Sequence, residues 1–400
     1  MIGAGVFAAF APAARAAGNG LLIGLVIAAL VAFCNATSSA QLAAVYPVSG
    51  GTYVYGRRQL GPWWGFLAGW SFVIGKTASC AAMALTFAAY AAPAGWERPV
   101  AVAAVVALAA VNYRGVTRTA LATRIIVTGV LITLAVVVAS GVGAGLPVVG
   151  GILDGGLRDG GLVAHGWYGI LQSAGLLFFA FAGYARIATM GEEVRAPSRT
   201  IPAAITIALA ITVVIYAVIA VTVLGTLGPD AVAGSTAPLA LTVQGSGWDW
   251  AVPLVRVGGA AASLGALLAL IAGIGRTGLA MAREGDLPRW LAAVHPRFKV
   301  PHRAEVALAA VVGILVVGVD LRGAIGFSSF GVLLYYFVAN VAAFSQRREQ
   351  RRYPKALQVL GGTGCLVLVA TVPLPAIGIG VVVLLVGILY RLITHAHPAT

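Results

Sequence analysis

The stretch IPAAITIALAITVVIYAVIAVTVLGTLGP, from Ile201 to Pro229, contains no Asp, Glu, Lys or Arg. A helix rises 1.5 Å per residue, so this stretch is long enough to cross the roughly 30 Å hydrocarbon core of a bilayer. A helix on the surface of a soluble protein needs a polar face, and this stretch offers none. The sequence therefore predicts a transmembrane helix here.

Similar apolar runs recur along the chain, which is 60% hydrophobic and only 10% charged. Soluble domains have about a quarter of their residues charged, so lipid is the solvent that fits. The other runs, which are uncharged or nearly so, are 20–45, 61–93, 99–112, 125–150, 162–185, 250–275, 306–319, 323–346 and 356–390. Pro373 and Pro375 divide the last run into two helices. Counting the apolar start of the chain, we predict about twelve transmembrane helices.

The first of these helices is predicted to be truncated. The chain opens with Met1-Ile2-Gly3-Ala4-Gly5-Val6-Phe7, and its first charged residue is Arg15. An apolar run of 14 residues spans only about 21 Å, which is short of the hydrocarbon core. We expect the start codon to lie upstream of Met1.

The basic residues test the helix count, because loops on the cytoplasmic side of a membrane are enriched in Lys and Arg. If the beginning of the chain is cytoplasmic, 19 of the 26 Lys and Arg residues fall in inside loops and four in outside loops. Lys76, Arg186 and Arg256 remain within the membrane. This pattern predicts a multi-pass protein of the cell (plasma) membrane with cytoplasmic basic loops. It also accounts for the net charge of +14 without a nucleic-acid partner.

Two glycine-containing interruptions indicate an internal repeat. Gly3-Ala4-Gly5 lies in the first helix and Phe181-Ala182-Gly183 in the sixth. Because five is odd, a second five-helix copy is inverted in the membrane, as in many secondary transporters. We predict a first repeat at 1–150, a second repeat at 151–346, and two additional helices with a short tail at 347–400.

An interrupted helix exposes backbone N–H and C=O groups that must find partners in the membrane. The N-terminal end of a half-helix attracts a carboxylate, so Gly3-Ala4-Gly5 is a candidate substrate site. Small residues that allow close helix packing are the alternative interpretation. At Phe178-Phe179-Ala180-Phe181, the aromatic residues either cover a ligand or face lipid.

The whole chain resembles the amino acid–polyamine–organocation (APC) family of permeases. The resemblance is carried by Met1–Phe7 (similar to the family's first-helix motif), Tyr46–Tyr55 (the loop after helix 2), Gly191–Pro202 (the signature after helix 6) and Met281–Pro288 (the end of helix 8). It implies an all-α membrane protein with a LeuT-type 5+5 inverted repeat plus two C-terminal helices. It also implies alternating access and an amino acid or amine as substrate.

The resemblance, together with the depth of one lysine, gives a predicted substrate site. The resemblance implies that the backbone at Gly3, Ala4 and Gly5 holds the substrate carboxylate. It also implies that carbonyls near Phe178 and Phe181 bind the substrate's amino group and that Phe179 covers the bound substrate. The full set of predicted substrate-binding residues is Ile2, Gly3, Ala4, Gly5, Lys76, Phe178, Phe179, Phe181, Ala182 and Gly183.

Lys76 lies mid-helix, where a lysine costs about 2.5–3.5 kcal/mol to insert. We expect it to face a polar cavity, where it either holds an acidic group of the substrate or cycles a proton. The alternative is a structural lysine satisfied by backbone carbonyls near Gly75.

The residues at which this sequence departs from the family pattern bear on which ion is coupled to transport. Val130 stands where some proton-coupled members have lysine, and Ala185 where many members have an acidic residue. Gly273-Ile274-Gly275 lacks the hydroxyls of sodium-dependent members, although Thr277 follows. We therefore predict proton coupling or exchange rather than sodium coupling.

Glu192 and Glu193 form an acidic pair among basic inside loops. We predict that they gate the inner side through ion pairs with Arg276 or Arg283, and a solvated charge cluster is the alternative.

Other function classes find less support in the sequence. A membrane-embedded enzyme needs acid, base or metal-binding residues at depth, and a channel needs pore-lining rings. The cysteines and histidines form no metal spacing, so neither a metal nor a cofactor is expected. The predicted function is secondary active amino acid transport. A polyamine or organocation antiporter and a transport-inactive amino acid sensor remain alternatives, and the oligomeric state stays open.

Overall fold

The computed structural model describes residues 2–47, 50–115, 120–145, 161–184, 194 and 196–396. Within these ranges the chain forms α-helices and short 3₁₀ turns, and no β-strand occurs in them. The α-helices are α1 (Ala4–Ala8), α2 (Phe10–Ala17), α3 (Leu21–Val45), α4 (Gly51–Leu60), α5 (Pro62–Ala91), α6 (Glu97–Tyr113), α7 (Ala120–Gly143), α8 (Gly166–Phe181), α9 (Pro197–Leu227), α10 (Pro229–Gly234), α11 (Pro238–Gly245), α12 (Val252–Arg283), α13 (His302–Gly318), α14 (Leu321–Phe344), α15 (Lys355–Thr371) and α16 (Leu374–Ala396).

Eight helical stretches of the described chain are long and apolar enough to cross a bilayer, which makes this a multi-pass membrane protein. They are Phe10–Val45, Pro62–Ala91, Thr123–Gly143, Gly166–Tyr184, Pro197–Leu227, Asp249–Arg283, Leu321–Phe344 and Leu374–Thr394. The first of them joins α2 and α3 through a short 3₁₀ turn. Helices α6, α13 and α15 are shorter, with 17 residues each. The prolines predicted to divide the last apolar run do so, because α15 ends at Thr371 and α16 begins at Leu374.

The outer surface of the bundle is apolar, as lipid contact requires. Ile314 of α13 is 72% exposed, and Leu374 and Val382 of α16 are 71% and 60% exposed. In water such exposed apolar side chains would favour aggregation, whereas in a bilayer they contact apolar lipid chains.

Helix α5 is held tightly against α14 in the centre of the bundle. A Cβ atom at Gly331 would lie 2.7 Å from the carbonyl oxygen of Ser71, and one at Gly75 would lie 3.0 Å from that of Ser328. Real Cβ atoms essentially never come as close as the distance at Gly331, and the distance at Gly75 is tighter than most real contacts, so glycine at both positions permits this approach. The hydroxyls of Ser79 and Ser328 are 2.6 Å apart and join the same two helices. This packing fixes α5 and, with it, the position of Lys76.

The segment compared above with a loop after helix 2 contains a helix. Gly50 and Gly51 have φ values of +124° and +56°, a conformation that glycine adopts without strain, and α4 begins there. The backbone N–H of Thr52 donates to the hydroxyl of Tyr335, at 3.0 Å, and so ties the start of α4 to α14. Val48 and Ser49 lie outside the described residues.

Candidate functional site

The first predicted interruption is a helix start. Gly3 has extended backbone angles and immediately precedes α1, and Ile2 precedes Gly3. The helical course continues past Ala9, because the Ala9 N–H donates to the Gly5 carbonyl and the Ala13 N–H to the Ala9 carbonyl. The first N–H groups of any helix have no partner within that helix. Those of α1 therefore have no partner within α1, at the residues where a substrate carboxylate is predicted to bind.

The second predicted interruption is a change of helix type. Helix α8 ends at Phe181, and Ala182, Gly183 and Tyr184 form a 3₁₀ turn. A 3₁₀ turn inside a longer apolar stretch rotates its carbonyl groups away from the α-helical direction. The turn is the last part of Gly166–Tyr184, a stretch long and apolar enough to cross the membrane, and residues 185–193 after it lie outside the described part of the chain.

The start of α1 and the end of α8, where the two interruptions are predicted, touch each other. A Cβ atom at Gly5 would lie 2.6 Å from the Cα and 2.8 Å from the Cβ of Ala180. Gly3 faces a different neighbour at an ordinary distance, 3.7 Å from a Cβ at Gly3 to the Cβ of Ala266 in α12. The structure thus brings together Gly3-Ala4-Gly5 and Phe178–Gly183, which stand about 175 positions apart in the sequence.

Lys76 reaches the second interruption. It lies in the middle of α5, is only 6% exposed, and its Nζ donates a hydrogen bond of 3.2 Å to the carbonyl oxygen of Ala182. That carbonyl belongs to the 3₁₀ turn. Lys76 therefore satisfies an irregular backbone group, as the structural interpretation predicts, but it does so at the predicted substrate site and not beside Gly75.

The three phenylalanines differ in their surroundings. Phe178 packs edge-on against Tyr336 with ring centroids 5.8 Å apart, and Phe181 packs against Tyr216 at 5.2 Å. Both are fully buried, whereas Phe179 retains 7% exposure. Phe179 is thus the least enclosed of the three, although it too is buried.

Several carbonyls at the second interruption already accept hydrogen bonds. The Phe178 carbonyl accepts from the Ala182 N–H, and the Ala180 carbonyl accepts from the Tyr216 hydroxyl at 3.2 Å. A carbonyl oxygen has two lone pairs, so each can accept a second donor such as an ammonium group.

A small pocket lies one helical turn from Lys76, on the side of α4. The gap between its lining atoms, which is partly open to the surroundings and too narrow to hold a water molecule, measures about 170 Å³, and it is lined by Gly50, Tyr53, Phe72, Thr277 and Tyr335. Phe72 and Tyr335 pack against each other with ring centroids 5.1 Å apart. None of the predicted substrate-binding residues lines this pocket.

A family model described as "Amino acid permease" matches residues 1–395. The chain belongs to this family. An uncharacterized transporter of Mycobacterium tuberculosis is 57% identical over 388 residues, which cover 97% of this permease and 86% of that protein. The branched-chain amino acid permease BcaP of Bacillus subtilis is 25% identical, covering 90% of this permease and 81% of its own length. Cationic amino acid transporter 7 of Arabidopsis thaliana is 27% identical, covering 86% and 62%.

Of the four predicted gating residues, two lie within the described part of the permease. Arg276 and Arg283 stand on α12 and are both exposed, and Arg276 acts electrostatically on Glu305. Glu192 and Glu193 lie outside the described residues, so their pairing with these arginines stays a prediction. Arg186 lies outside them as well.

The structure reveals an ionic cluster that the sequence did not predict. Asp286, which follows α12, is completely buried, and its carboxylate accepts from Tyr53 at 2.9 Å and from Arg57 at 3.2 Å. Arg391, near the end of α16, pairs with the other carboxylate oxygen. Arg57 also pairs with Glu284 at 2.8 Å. These five side chains join α4, the end of α12 and α16 at one end of the bundle.

The surroundings of this cluster favour its charged and hydrogen-bonded form. Burial raises the pKa of Tyr53, so its hydroxyl keeps its proton and donates to the carboxylate. The Arg391 guanidinium lies over the rings of Trp63 and Phe66, about 5 Å from each centroid, where a cation is attracted by the ring faces. The sequence signal that could have revealed this cluster is Asp286 itself. It lies in Met281–Pro288, the stretch that was singled out only because it resembles a family motif.

Proposed function

We propose that this permease is a secondary active transporter that moves amino acids across the cytoplasmic membrane by alternating access. The observation that carries the proposal is the meeting of the start of α1 with the end of α8, Gly5 against Ala180, with Lys76 hydrogen-bonded to the 3₁₀ turn that follows α8. A substrate with both a carboxylate and an ammonium group complements N–H groups on one side and carbonyls on the other.

The architecture we propose is the LeuT-type 5+5 inverted repeat with two further helices. Dividing Phe10–Val45 at its 3₁₀ turn and adding α6, α13 and α15 to the other long spans gives twelve helices. The first repeat then lies within 1–150, the second within 151–346, and the additional pair within 347–400. With the basic loops in the cytoplasm, α4 and the Asp286 cluster lie on the inner side.

The site favours neutral or acidic amino acids over cationic ones. The buried ammonium of Lys76 repels a second positive charge in its vicinity and attracts a carboxylate. By this proposal the first turn of α1 holds the substrate carboxylate, carbonyls near Phe178 and Phe181 receive the amino group, and Phe179 covers the bound molecule. The remaining predicted residues, Ile2, Ala182 and Gly183, complete the lining.

Uptake by purified permease in proteoliposomes tests this function. Radiolabelled leucine, glutamate, lysine and putrescine are each offered, with and without an excess of the other unlabelled compounds. We expect saturable uptake that leucine or glutamate competes for and putrescine does not. Uptake of putrescine alone would favour the antiporter alternative, and binding without saturable uptake of any compound would favour a sensor.

Uptake is expected to be independent of sodium. Gly273, Ile274 and Gly275 supply no side-chain oxygen where sodium-dependent family members have hydroxyls, and the Thr277 hydroxyl donates to the Gly273 carbonyl at 3.2 Å within its own helix. Replacing external sodium by choline should leave the initial rate unchanged, whereas an inward proton gradient or preloaded amino acid should raise it. A rate that falls to background in choline would contradict the coupling proposed.

Substitutions at Gly5 and Gly3 are expected to differ sharply. Gly5→Ala places a methyl group 2.6 Å from backbone at Ala180, so the two breaks must move apart and uptake should fall by about tenfold or more. Gly3→Ala is the matched control, because its methyl group meets Ala266 at an ordinary 3.7 Å and the backbone N–H groups remain. The measurement is the initial uptake rate per folded protein. Equal rates for the two variants would contradict the contact on which the site depends.

A further inference from the structure

The connection between α14 and α15 concentrates positive charge beside the apolar surface. Residues 345–355 contain five cations and one carboxylate, Glu349. The exposed cations are Arg347, Arg348, Arg352 and Lys355. The hydrocarbon boundary runs next to them, since Phe344 is 41% exposed at the end of α14 and Val359 is 54% exposed in the first turns of α15.

A single buried glutamine holds this connection in place. Gln41 of α3 is completely buried, and its Oε1 accepts from the backbone N–H groups of both Arg352 and Tyr353, each at 3.0 Å. Its Nε2 donates to the carbonyl of Ala343 at 3.1 Å and to Oε1 of Gln346 at 2.7 Å. All four hydrogen bonds available to the amide are thus made to the connection and the end of α14. The basic segment is therefore ordered before any partner arrives.

Further contacts orient individual cations of the segment. The Lys355 Nζ lies 4.3 Å from the centroid of the Phe344 ring, so the ammonium is held at the edge of the apolar surface. The Arg351 guanidinium donates to the Gln346 carbonyl, and that of Arg352 donates to the Ser198 carbonyl at 3.2 Å, which joins the segment to the start of α9. Three cations are thereby positioned by protein contacts, while Arg347 and Arg348 project into the surroundings.

We propose that this ordered basic connection, residues 345–355, is a binding site for the phosphate head groups of anionic phospholipids. Guanidinium groups bind phosphate through paired hydrogen bonds, and basic residues at a membrane surface attract anionic lipid. The apolar side chains beside the cations suit acyl chains, which a soluble phosphate lacks. In the proposed orientation the lipid belongs to the cytoplasmic leaflet. The site is separate from the substrate site and is filled whether or not substrate is bound.

Native mass spectrometry of the full-length permease tests the site, with phosphatidylglycerol and phosphatidylcholine as probes. We expect the unchanged protein to retain phosphatidylglycerol in preference to phosphatidylcholine. Removing the four exposed cations together (R347Q, R348Q, R352Q and K355Q) should weaken phosphatidylglycerol binding by about tenfold or more. The matched control removes four exposed cations from the connection between α12 and α13 and the first turn of α13 (R289Q, R297Q, K299Q and R303Q) and should leave the affinity close to that of the unchanged protein.

Substitution of Gln41 shows whether lipid binding requires the ordered arrangement of the cations or only their net positive charge. Gln41→Leu keeps every cation but releases the connection, so phosphatidylglycerol binding should weaken several-fold. Folding of the Gln41→Leu variant is checked by size-exclusion chromatography and by its thermal midpoint without added lipid. If that variant does not fold, Gln41→Asn replaces it in the test, because its amide is shorter by one methylene and cannot reach the connection. Equal weakening in the control quadruple variant, or unchanged binding in the folded Gln41 variant, would overturn the proposal. Displacement of the lipid by millimolar inorganic phosphate would instead assign the site to soluble phosphate and overturn it too.

Discussion

Uptake should fall by about 10- to 100-fold when Lys76 is replaced by Met, a side chain of similar length without charge. A hydrogen bond from a charged group contributes about 1.5–3 kcal/mol, and this one joins α5 to the carbonyl of Ala182 in the 3₁₀ turn. Its loss leaves an irregular carbonyl unsatisfied in a buried place and removes the cation from the substrate site. The measurement is the initial rate in proteoliposomes, normalised to folded permease.

Two further variants show whether the charge or the shape of Lys76 matters. Lys76→Arg keeps the positive charge and should retain part of the rate, although its planar guanidinium does not match the position of an ammonium. Thr77→Ala is the matched control, because the Thr77 hydroxyl donates within α5 to the Val73 carbonyl and joins no other helix. Unchanged rates and unchanged pH dependence in both Lys76 variants would remove this residue from the mechanism.

Asp286→Asn should cause the largest loss of stability of any single substitution in the ionic cluster. The carboxylate is completely buried, and Arg391, only 3% exposed, pairs with it. Removing one partner of such a pair leaves a buried charge uncompensated, which costs about 3–5 kcal/mol. The free energy of unfolding, or the thermal midpoint of the purified permease, measures the effect. Because the cluster joins α4, α12 and α16, we expect less folded protein in the membrane as well.

The control for Asp286 lies two residues earlier in the chain. Glu284 pairs with the same Arg57, but its side chain is 52% exposed, so Glu284→Gln should cost no more than about 1 kcal/mol. The double variant Asp286→Leu with Arg391→Met should be less damaging than the sum of its two parts, since no unpaired charge remains. Equal stability of Asp286→Asn and Glu284→Gln would contradict the importance assigned to the buried pair.

The sequence predicted those parts of the permease that are encoded in local composition. The run 61–93 became α5 at Pro62–Ala91, and the run 201–229 became α9 at Pro197–Leu227, because the absence of charge over this length is itself the physical requirement for a membrane span. Gly3-Ala4-Gly5, which the sequence predicts to interrupt the first helix, lies at the start of α1 in the described chain, so the interruption itself stays a prediction. Lys76 stood out because a lysine at mid-membrane depth needs a buried partner.

What the sequence could not predict depends on contacts between distant segments. Asp286 and Arg391 are 105 residues apart, and each resembles an ordinary charge at the end of a helix. Gln41 looks like one polar residue inside an apolar run, and its four hydrogen bonds to the end of α14 and the connection after it exist only once the helices pack. Ala180, the neighbour of Gly5, carries no chemical signal at all.

Protection of a cysteine placed at Phe179 tests most directly the claim that substrate sits between the two interrupted helices. The three native cysteines, all buried, are replaced by Ala, and a membrane-permeant thiol reagent labels Phe179→Cys in proteoliposomes. We predict that the amino acid that competes best for uptake slows this labelling and leaves the labelling of Gln244→Cys, at an exposed position far along the chain, unchanged. Labelling of Phe179→Cys at the same rate with and without saturating substrate would contradict the proposed site.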